Sequence, residues 1–536
     1  MKYRSTRGSP KLFSFSEAVL IGLADDGGLF IPQKIPTLPL NWRTKWSKYS
    51  FNSLALEIFS LFIPESEIPR TDLEVLINKS YSTFKHERVT PLKKIRENLY
   101  ILELFHGPTF AFKDVALQFL GNLFEYLLEK KNKNILEGEK QKITVLGATS
   151  GDTGSAAIYG LRGKKNVSVF ILHPRGKVSP IQEAQMTTVL DKNVHNLSVE
   201  GTFDDCQDIV KILFSDVPFN KKYHLGAVNS INWARILAQT TYYFHSYFQL
   251  LSSLNISPTS ATSSNIHLRY VVPTGNFGDI LAGYYAKRMG LPIEKLIVAT
   301  NQNDILDRFF KTGRYEKIFD KNNINIVHET LSPAMDIVVS SNFERLLWHL
   351  AYETIDDVDD NGVKIVKDEE DNDHMKSNLA GSIVNNWMNN LKTKNCLVVN
   401  KSQLELSLRD FKSTRISDQE TKDTISRYYS PKDTKNQIPY VLDPHSAIGV
   451  AASENQDNMS ENTYQICLAT AHPAKFSMAV KESLKDFKDF KFEEILPKEF
   501  VGLLEKERNI VHVERADPEL VKKVIEKELE IELSNS

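Results

Sequence analysis

Cysteine is scarce: Cys206, Cys396 and Cys467 are the only three in 536 residues. They are odd in number, widely spaced and form no CxxC pair, which argues against a disulfide framework and against a cysteine metal site. Long apolar runs are missing, and none reaches the ~20 residues that a membrane-spanning helix needs. The opening MKYRSTRGSPKLFSFSEAVL lacks the continuous apolar core of a secretory signal. Arg4, Arg7 and Lys11 with nearby serines have some transit-peptide character, but Glu17, Asp25 and Asp26 follow closely. The expected location is therefore cytoplasmic. Charge of one sign is also missing: 66 Lys and Arg stand against 68 Asp and Glu, a net charge of −2. Neither nucleic acid nor a membrane surface is expected as a partner. Neither G-x-x-x-x-G-K-[ST] nor G-x-G-x-x-G occurs at the Gly-rich turns, which speaks against a nucleotide fold of the P-loop or Rossmann kind. There is no internal repeat.

What is present is ordinary globular composition, 41% apolar and 25% charged, in a chain long enough for about two to four domains. Residues 1–95 read as an opening unit. A helix in SEAVLIGL runs into the turn Asp25-Asp26-Gly27-Gly28 and a short strand ending at Pro32, and amphipathic stretches follow at Phe51–Phe62 and Thr71–Phe84. NLYILELF then reads as a strand. From about residue 98 to 300, strand, Gly-rich turn and helix alternate. The strands are ITVLGAT (143–149), NVSVFILHP (166–174), VHNLSVEG (194–201), IHLRYVVPTG (266–275) and LIVATN (296–301). This spacing predicts an α/β fold with parallel or mixed sheets covered by helices. Polar insertions are expected at 255–265 and at 358–374, the second dominated by acidic residues. QICLATAHPAKF (465–476) carries one more strand and turn. The charged C-terminal helices read as an exposed cover.

Three stretches carry the chemistry. LFHGPTFAFKD (104–114) delivers Lys113 between aromatics and a helix, with Gly107-Pro108 as a turn and Asp114 as the expected helix cap. An ammonium in apolar company is poorly solvated, which lowers its pKa and suits it to Schiff-base chemistry. VVPTGNFGD (271–279) follows a strand and opens a helix. There Gly275 and Gly278 permit close backbone approach, and the first helical turn offers N–H groups and a dipole to a phosphate. ATSGDTGSAA (148–157) is a second anion seat, built on Ser150, Thr153 and the glycine N–H groups and small enough for a carboxylate. Asp152 is out of place in such a seat unless it faces elsewhere, caps the helix, or meets a ligand hydroxyl or phenol. A lysine with two anion seats is what a phosphorylated aldehyde cofactor and an amino-acid substrate require.

The set HGPTFAFKD, TSGDTGSA and GNFGD resembles the threonine synthase family, pyridoxal-phosphate enzymes of the tryptophan-synthase-β type (fold type II). STRG, GLADDGGLFIP, LSPAMDIVVSSNFERLLW (331–348), LDPHSAIGV (442–450) and TAHPAKF (470–476) are also similar to it. The likeness covers nearly the whole chain in order and is closest to the longer fungal and bacterial form. The polar insertions fall outside every motif.

The resemblance implies an N-terminal threonine-synthase-type domain over 1–95 and a cofactor-binding catalytic region over 96–536. That region would hold two interleaved domains, the smaller at about 114–235 inserted in the larger at about 96–113 and 236–536. It further implies pyridoxal 5'-phosphate as cofactor and Lys113 as its Schiff-base lysine and proton shuttle. Gly275, Asn276, Phe277, Gly278 and Asp279 would hold the cofactor phosphate, and Thr470 the pyridine nitrogen. Ser150, Gly151, Asp152, Thr153 and Gly154 would face the substrate carboxylate and cofactor. Asn229 and Arg235 would hold the substrate phosphate, which an Arg fork suits; the plain alternative is an N-cap and a helix surface charge. His106, His445 and His472 read equally well as structural. The implied reaction takes O-phospho-L-homoserine and water to L-threonine and phosphate by γ-elimination and β-addition of water, the last step of threonine biosynthesis. The alternatives are a phospho-lyase that releases a keto acid, and a non-enzymatic protein that keeps the fold. A monomer is the expected state, with a homodimer as the other choice. No metal is expected.

Overall fold

The computed structural model describes residues 1–136, 139–321, 324–355, 369–432, 437–456 and 459–534. The chain forms two compact units that alternate along the sequence. The first holds Met1–Arg70, Pro91–Leu102 and Ser230–Leu468, and the second Thr71–Thr90, Glu103–Asn229 and Ala469–Ser536.

The first unit is built on a six-stranded sheet. Its spatial order is Phe411–Arg415, Ile293–Thr300, His267–Pro273, Thr463–Ala469, Leu99–Glu103, Leu92–Arg96. The first four strands run parallel, and the last two close as an antiparallel hairpin. Leu268–Val272 and Leu296–Ala299 are buried without alternation, because helices cover both faces of such a sheet and neither side of the strand meets water. The helix Trp233–Ser253 is buried along almost its whole length, polar residues such as Arg235, Gln239 and Thr240 included. At the N-terminus, Ser14 and Glu17 form a capping box on the helix Phe15–Ile21, and Tyr3–Ser5 pairs antiparallel with Phe30–Pro32.

The second unit holds a five-stranded, wholly parallel sheet in the order Val511–Val513, Val194–Val199, Val167–Pro174, Ile143–Ala148, Leu225–Gly226. The strand Val511–Val513 is too short and too polar in its surroundings to show in the sequence pattern. The C-terminal helix Pro518–Ser534 is not merely an exposed cover. Glu519, Lys523, Lys527 and Glu530 are exposed, while Val521 and Ile525, four apart and so on one face, are fully buried in one cluster with Leu146, Phe170 and Leu197. Each is worth about 1.5–3 kcal/mol. Glu532 adds bonds from Ser168 (2.5 Å) and His195 (2.6 Å).

The 255–265 insertion is largely exposed and contains one short helix, Ala261–Ser264. Of the acidic insertion, 358–368 lies outside the described residues, and from Glu369 the chain is helical to Thr393. Among the described residues no helix is long and apolar enough to cross a membrane, and no cluster of His, Cys, Asp and Glu is placed to hold a metal ion.

Candidate active site

In the second unit the segment before Lys113 is a run of turns fixed by its own side chains. Thr109 donates its N–H to Asp114 Oδ2 (2.8 Å) and its hydroxyl to Oδ1 (2.7 Å). Asp114 therefore does not cap the helix as expected. The helix Lys113–Asn132 starts two residues earlier than a cap at Asp114 would place it, with Phe112 at the cap position, and the carboxyl folds back over the turn. Burial pushes this carboxyl up to about 6, against the opposing pull of the Thr109 bonds and the Lys475 charge. Phe110 takes a left-handed φ of 59°, unusual for a bulky residue. Its N–H donates to Gly107 O (3.2 Å) and its carbonyl accepts from His472 N (3.0 Å). Phe112 N donates to Thr470 O (2.8 Å) beside an antiparallel bridge from Ala111 to Ala471. The backbone next to Lys113 is thus tied to Thr470, and Lys113 is only 9% exposed.

The strand Ile143–Ala148 ends in the second motif and feeds the helix Asp152–Leu161. Gly151 sits at φ 145°, and a Cβ there would meet Gln182 Oε1 at 2.4 Å, so only glycine fits. Thr149 Oγ1 accepts the N–H of Gly151 (3.0 Å) and of Gly154 (2.8 Å). Those two glycine amides are therefore committed within the loop, and an anion seat here draws on the remaining polar groups of Ser150, Asp152 and Thr153. Asp152 is turned inward. Its Oδ1 accepts from Lys475 Nζ (2.7 Å) and Gln182 Nε2 (2.7 Å), and Oδ2 lies 4.0 Å from Lys113 Nζ. Burial alone would raise this carboxyl, but the Lys475 and Lys113 charges and the two hydrogen bonds outweigh it and hold it well below the usual carboxylate range.

In the first unit, the strand His267–Pro273 ends at the third motif and the helix Gly278–Met289 begins. Phe277, at its cap, is left-handed (φ 62°). A Cβ on Gly275 would stand 2.9 Å from Ala334 O, so glycine is needed here for packing. The loop is strapped from 340–342. Ser340 Oγ donates to Gly275 O (2.7 Å), Ser341 Oγ to Asn276 Oδ1 (3.1 Å) and Asn342 Nδ2 to Asn276 O (3.0 Å). The Asp279 side chain turns to Tyr242 and Tyr243 instead of to an anion. Burial pushes its carboxyl up to about 7, although both tyrosine bonds oppose the rise.

Arg235 is 3% exposed on the first turn of Trp233–Ser253, which excludes the surface-charge reading, and burial brings its guanidinium down to about 10. The helix cap is Asn232, whose side chain accepts from Ala234 N, and not Asn229. Asn229 is exposed and belongs to the second unit, Arg235 to the first. The three histidines have structural bonds: His106 to Glu103 (2.9 Å), His445 to Asp443 (3.0 Å), and His472 to Ala474 N (3.2 Å). The sequence reading missed Lys475, Gln182, Ser340, Ser341 and Asn342. A lysine directly after the Pro473-Ala474 pair and before Phe476 was the available signal for Lys475.

These donors fit an aldehyde cofactor that bears a phosphate. The second unit holds a buried lysine amine and, on a segment bonded to the adjacent backbone, a buried Thr470; the first unit, taken by itself, holds a glycine-bearing helix N-terminus at a strand's carboxyl end, the kind of place where anions bind.

Comparison with known proteins gives one family along the whole chain. A model described as the threonine synthase N terminus matches residues 2–81, one for pyridoxal-phosphate dependent enzymes matches 83–371, and one for the threonine synthase C-terminal region matches 446–525. Threonine synthase of Saccharomyces cerevisiae is 56% identical, with 98% of each chain covered. The crystal structure of threonine synthase from yeast superimposes with a TM-score of 0.88 at 54% identity, covering 98% of both chains. That of the PLP-bound threonine synthase from Brucella melitensis gives 0.82 at 39% identity, covering 98% of this chain and 99% of that one.

Proposed function

The chain belongs to the threonine synthase family, and from that premise we propose that it turns over O-phospho-L-homoserine and water to L-threonine and phosphate at a site built on Lys113. It is a lyase of fold type II, and its cofactor is pyridoxal phosphate. The observation that carries the site assignment is Lys113 itself. It is a buried amine at a helix start, 4.0 Å from a carboxylate already paired with another lysine.

Bound at this site, pyridoxal phosphate supplies an electron sink for the substrate carbon that bears the amino group. The protein's part is binding, orientation and proton movement. The Lys113 amine would hold the cofactor through its aldehyde carbon. Lys113 Nζ would take the substrate's Cα proton and serve the later proton steps at Cβ and Cγ as phosphate leaves Cγ and water adds at Cβ. Gly275, Asn276, Phe277 and Gly278 bind the cofactor phosphate through backbone N–H groups and the helix dipole, and Asp279 anchors that turn from behind. The Thr470 hydroxyl would hydrogen-bond the ring nitrogen, and a neutral hydroxyl there would not force that nitrogen to be protonated. Ser150, Gly151, Asp152, Thr153 and Gly154 form the substrate carboxylate side, with the amides of Gly151 and Gly154 serving the loop's shape. Arg235 would bind the substrate phosphate, since a buried guanidinium suits a dianion, and Asn229 is the further residue that we assign to that ligand.

We keep the division into an N-terminal domain (1–95) and a catalytic region (96–536) as part of this proposal. Family models that end at residue 81 and begin at 83 support it. Action in the cytosol, as a monomer, completes the reading. The deciding experiment is an absorption spectrum of the purified protein, followed by addition of O-phospho-L-homoserine and product assay. A visible band that shifts, with phosphate and threonine released together, is the expected result. Phosphate with a keto acid would instead make the protein a phospho-lyase. No band after adding pyridoxal phosphate would favour the non-enzymatic alternative.

A further inference from the structure

Asp152 is shared unequally between two lysines. Lys475 Nζ meets its Oδ1 at 2.7 Å, within hydrogen-bond distance, whereas Lys113 Nζ stands 4.0 Å from Oδ2, outside it. The Lys475 side chain is 0% exposed, and its ammonium is fixed by a second bond, to Thr109 O at 2.7 Å. Gln182 Nε2 holds the same Oδ1 at 2.7 Å. Thr109 in turn clasps Asp114, the neighbour of Lys113. The carboxylate is therefore pinned from the side opposite the reactive amine.

This asymmetry has a chemical consequence. A lysine that bonds an aldehyde and carries protons must release its own proton near neutral pH. A carboxylate with no other partner opposes that release, because an opposite charge within about 4–6 Å favours the charged form. A carboxylate already neutralised by a dedicated second ammonium opposes it far less. We propose that Lys475 is a positioning residue for Lys113, acting through Asp152: it satisfies the carboxylate, keeps it out of hydrogen-bond reach of the reactive amine, and so frees that amine to give up its proton. The inference rests on the assignment of Lys113 as the cofactor-bearing lysine. Asp152, on the helix Asp152–Leu161, faces that amine at 4.0 Å; Lys475, on the turn Pro473–Phe476, faces Asp152, and Asp114 follows Lys113 on its own helix. Asp114 is occupied by Thr109.

The test is a pH titration of the cofactor's visible absorption band in the full-length holoenzyme. In Lys475→Met the acid–base midpoint is expected to rise by about 1–2 pH units, and Lys475→Arg should return it most of the way. In an Asp152→Asn background the same Lys475→Met change should move the midpoint by less than about a third of that, because the carboxylate through which Lys475 acts is gone. An unmoved midpoint in Lys475→Met overturns the proposal. So does an equal rise in both backgrounds, since Lys475 would then act on the amine directly. If Lys475→Met does not fold, Asp152→Asn alone decides. Leaving two ammonium groups without their shared carboxylate must lower the midpoint, and no change sinks the idea. Borohydride reduction followed by peptide mass analysis is run alongside. Cofactor on another lysine would refute the Lys113 assignment, whereas cofactor on Lys113 with an unmoved midpoint refutes only the role of Lys475.

Discussion

The Tyr243 hydroxyl donates to Asp279 Oδ1 at 3.1 Å, with Tyr242 bonded to the same oxygen, and all three residues are buried. This carboxyl has an ordinary value of 3.8 and is pushed up to about 7, chiefly by burial. The folded chain therefore binds this proton more tightly than the unfolded one. Its contribution to stability is fullest below about pH 4 and declines as pH rises to about 7. Asp279→Asn keeps acceptors for the tyrosines and removes the ionisation. Urea unfolding at pH 5 and pH 8 should show the wild type losing more stability between the two than the variant, by about 1–3 kcal/mol. Equal losses would mean that Asp279 titrates normally.

Gly107 lies under the Thr109–Asp114 clasp. A Cβ added there would stand 2.4 Å from Asp114 Cβ. Gly107→Ala should therefore push Asp114 off Thr109 and disturb the turn that carries Lys113. The expected cost is about 1–3 kcal/mol of stability, with weaker cofactor retention, checked by thermal unfolding and by absorbance after dialysis. A variant as stable as wild type with full cofactor would show that the clasp does not hold the segment.

At Gly278 the nearest neighbour of an added Cβ is Asn342 Nδ2, at 3.3 Å. That same nitrogen donates to Asn276 O (3.0 Å) and Ser230 O (3.2 Å). Gly278→Leu should displace Asn342 and loosen the loop as well as obstruct an anion. Cofactor affinity is expected to fall at least tenfold, about 1.4 kcal/mol, in a fluorescence titration. Unchanged affinity would count against this loop as the phosphate seat.

Lys113→Ala removes the amine and keeps the helix, since alanine is the best helix former. Turnover should vanish while the circular dichroism spectrum is retained. Threonine formation in that variant would refute the role of Lys113.

The sequence was most informative where chemistry and periodicity coincide in one short window. Lys113 and both glycine-bearing turns were legible because each sits between a strand pattern and a helix pattern, and the structure has those elements there. Partnerships between windows were not legible. Asp152 looked out of place in an anion seat because its partners, Lys475 and Gln182, lie in other segments. Asp114 looked like a cap because Asp before an apolar run usually is one. Its packing against Gly107, which only the folded turn reveals, gave it Thr109 instead. Arg235 shows the same limit, since nothing local distinguishes a buried arginine from a surface one on a helix's first turn.

The C-terminal helix gives the last prediction, because composition alone misjudges it. Val521 is fully buried against the strands of the parallel sheet, among them Phe170 and Leu197. The same helix sends Glu532 to Ser168 and His195, and Lys522 to Asp216 (2.6 Å). The ion pairs near the surface are each worth little, so the apolar face must supply most of the attachment. Val521→Asp buries an unpaired carboxylate in that face and should cost roughly 3–5 kcal/mol. Lys522→Ala, one residue away, should cost less than about 1 kcal/mol. Thermal unfolding of the two variants separates the contributions. A loss in Lys522→Ala as large as that in Val521→Asp would mean that charge, and not the buried valine and isoleucine, seats the helix.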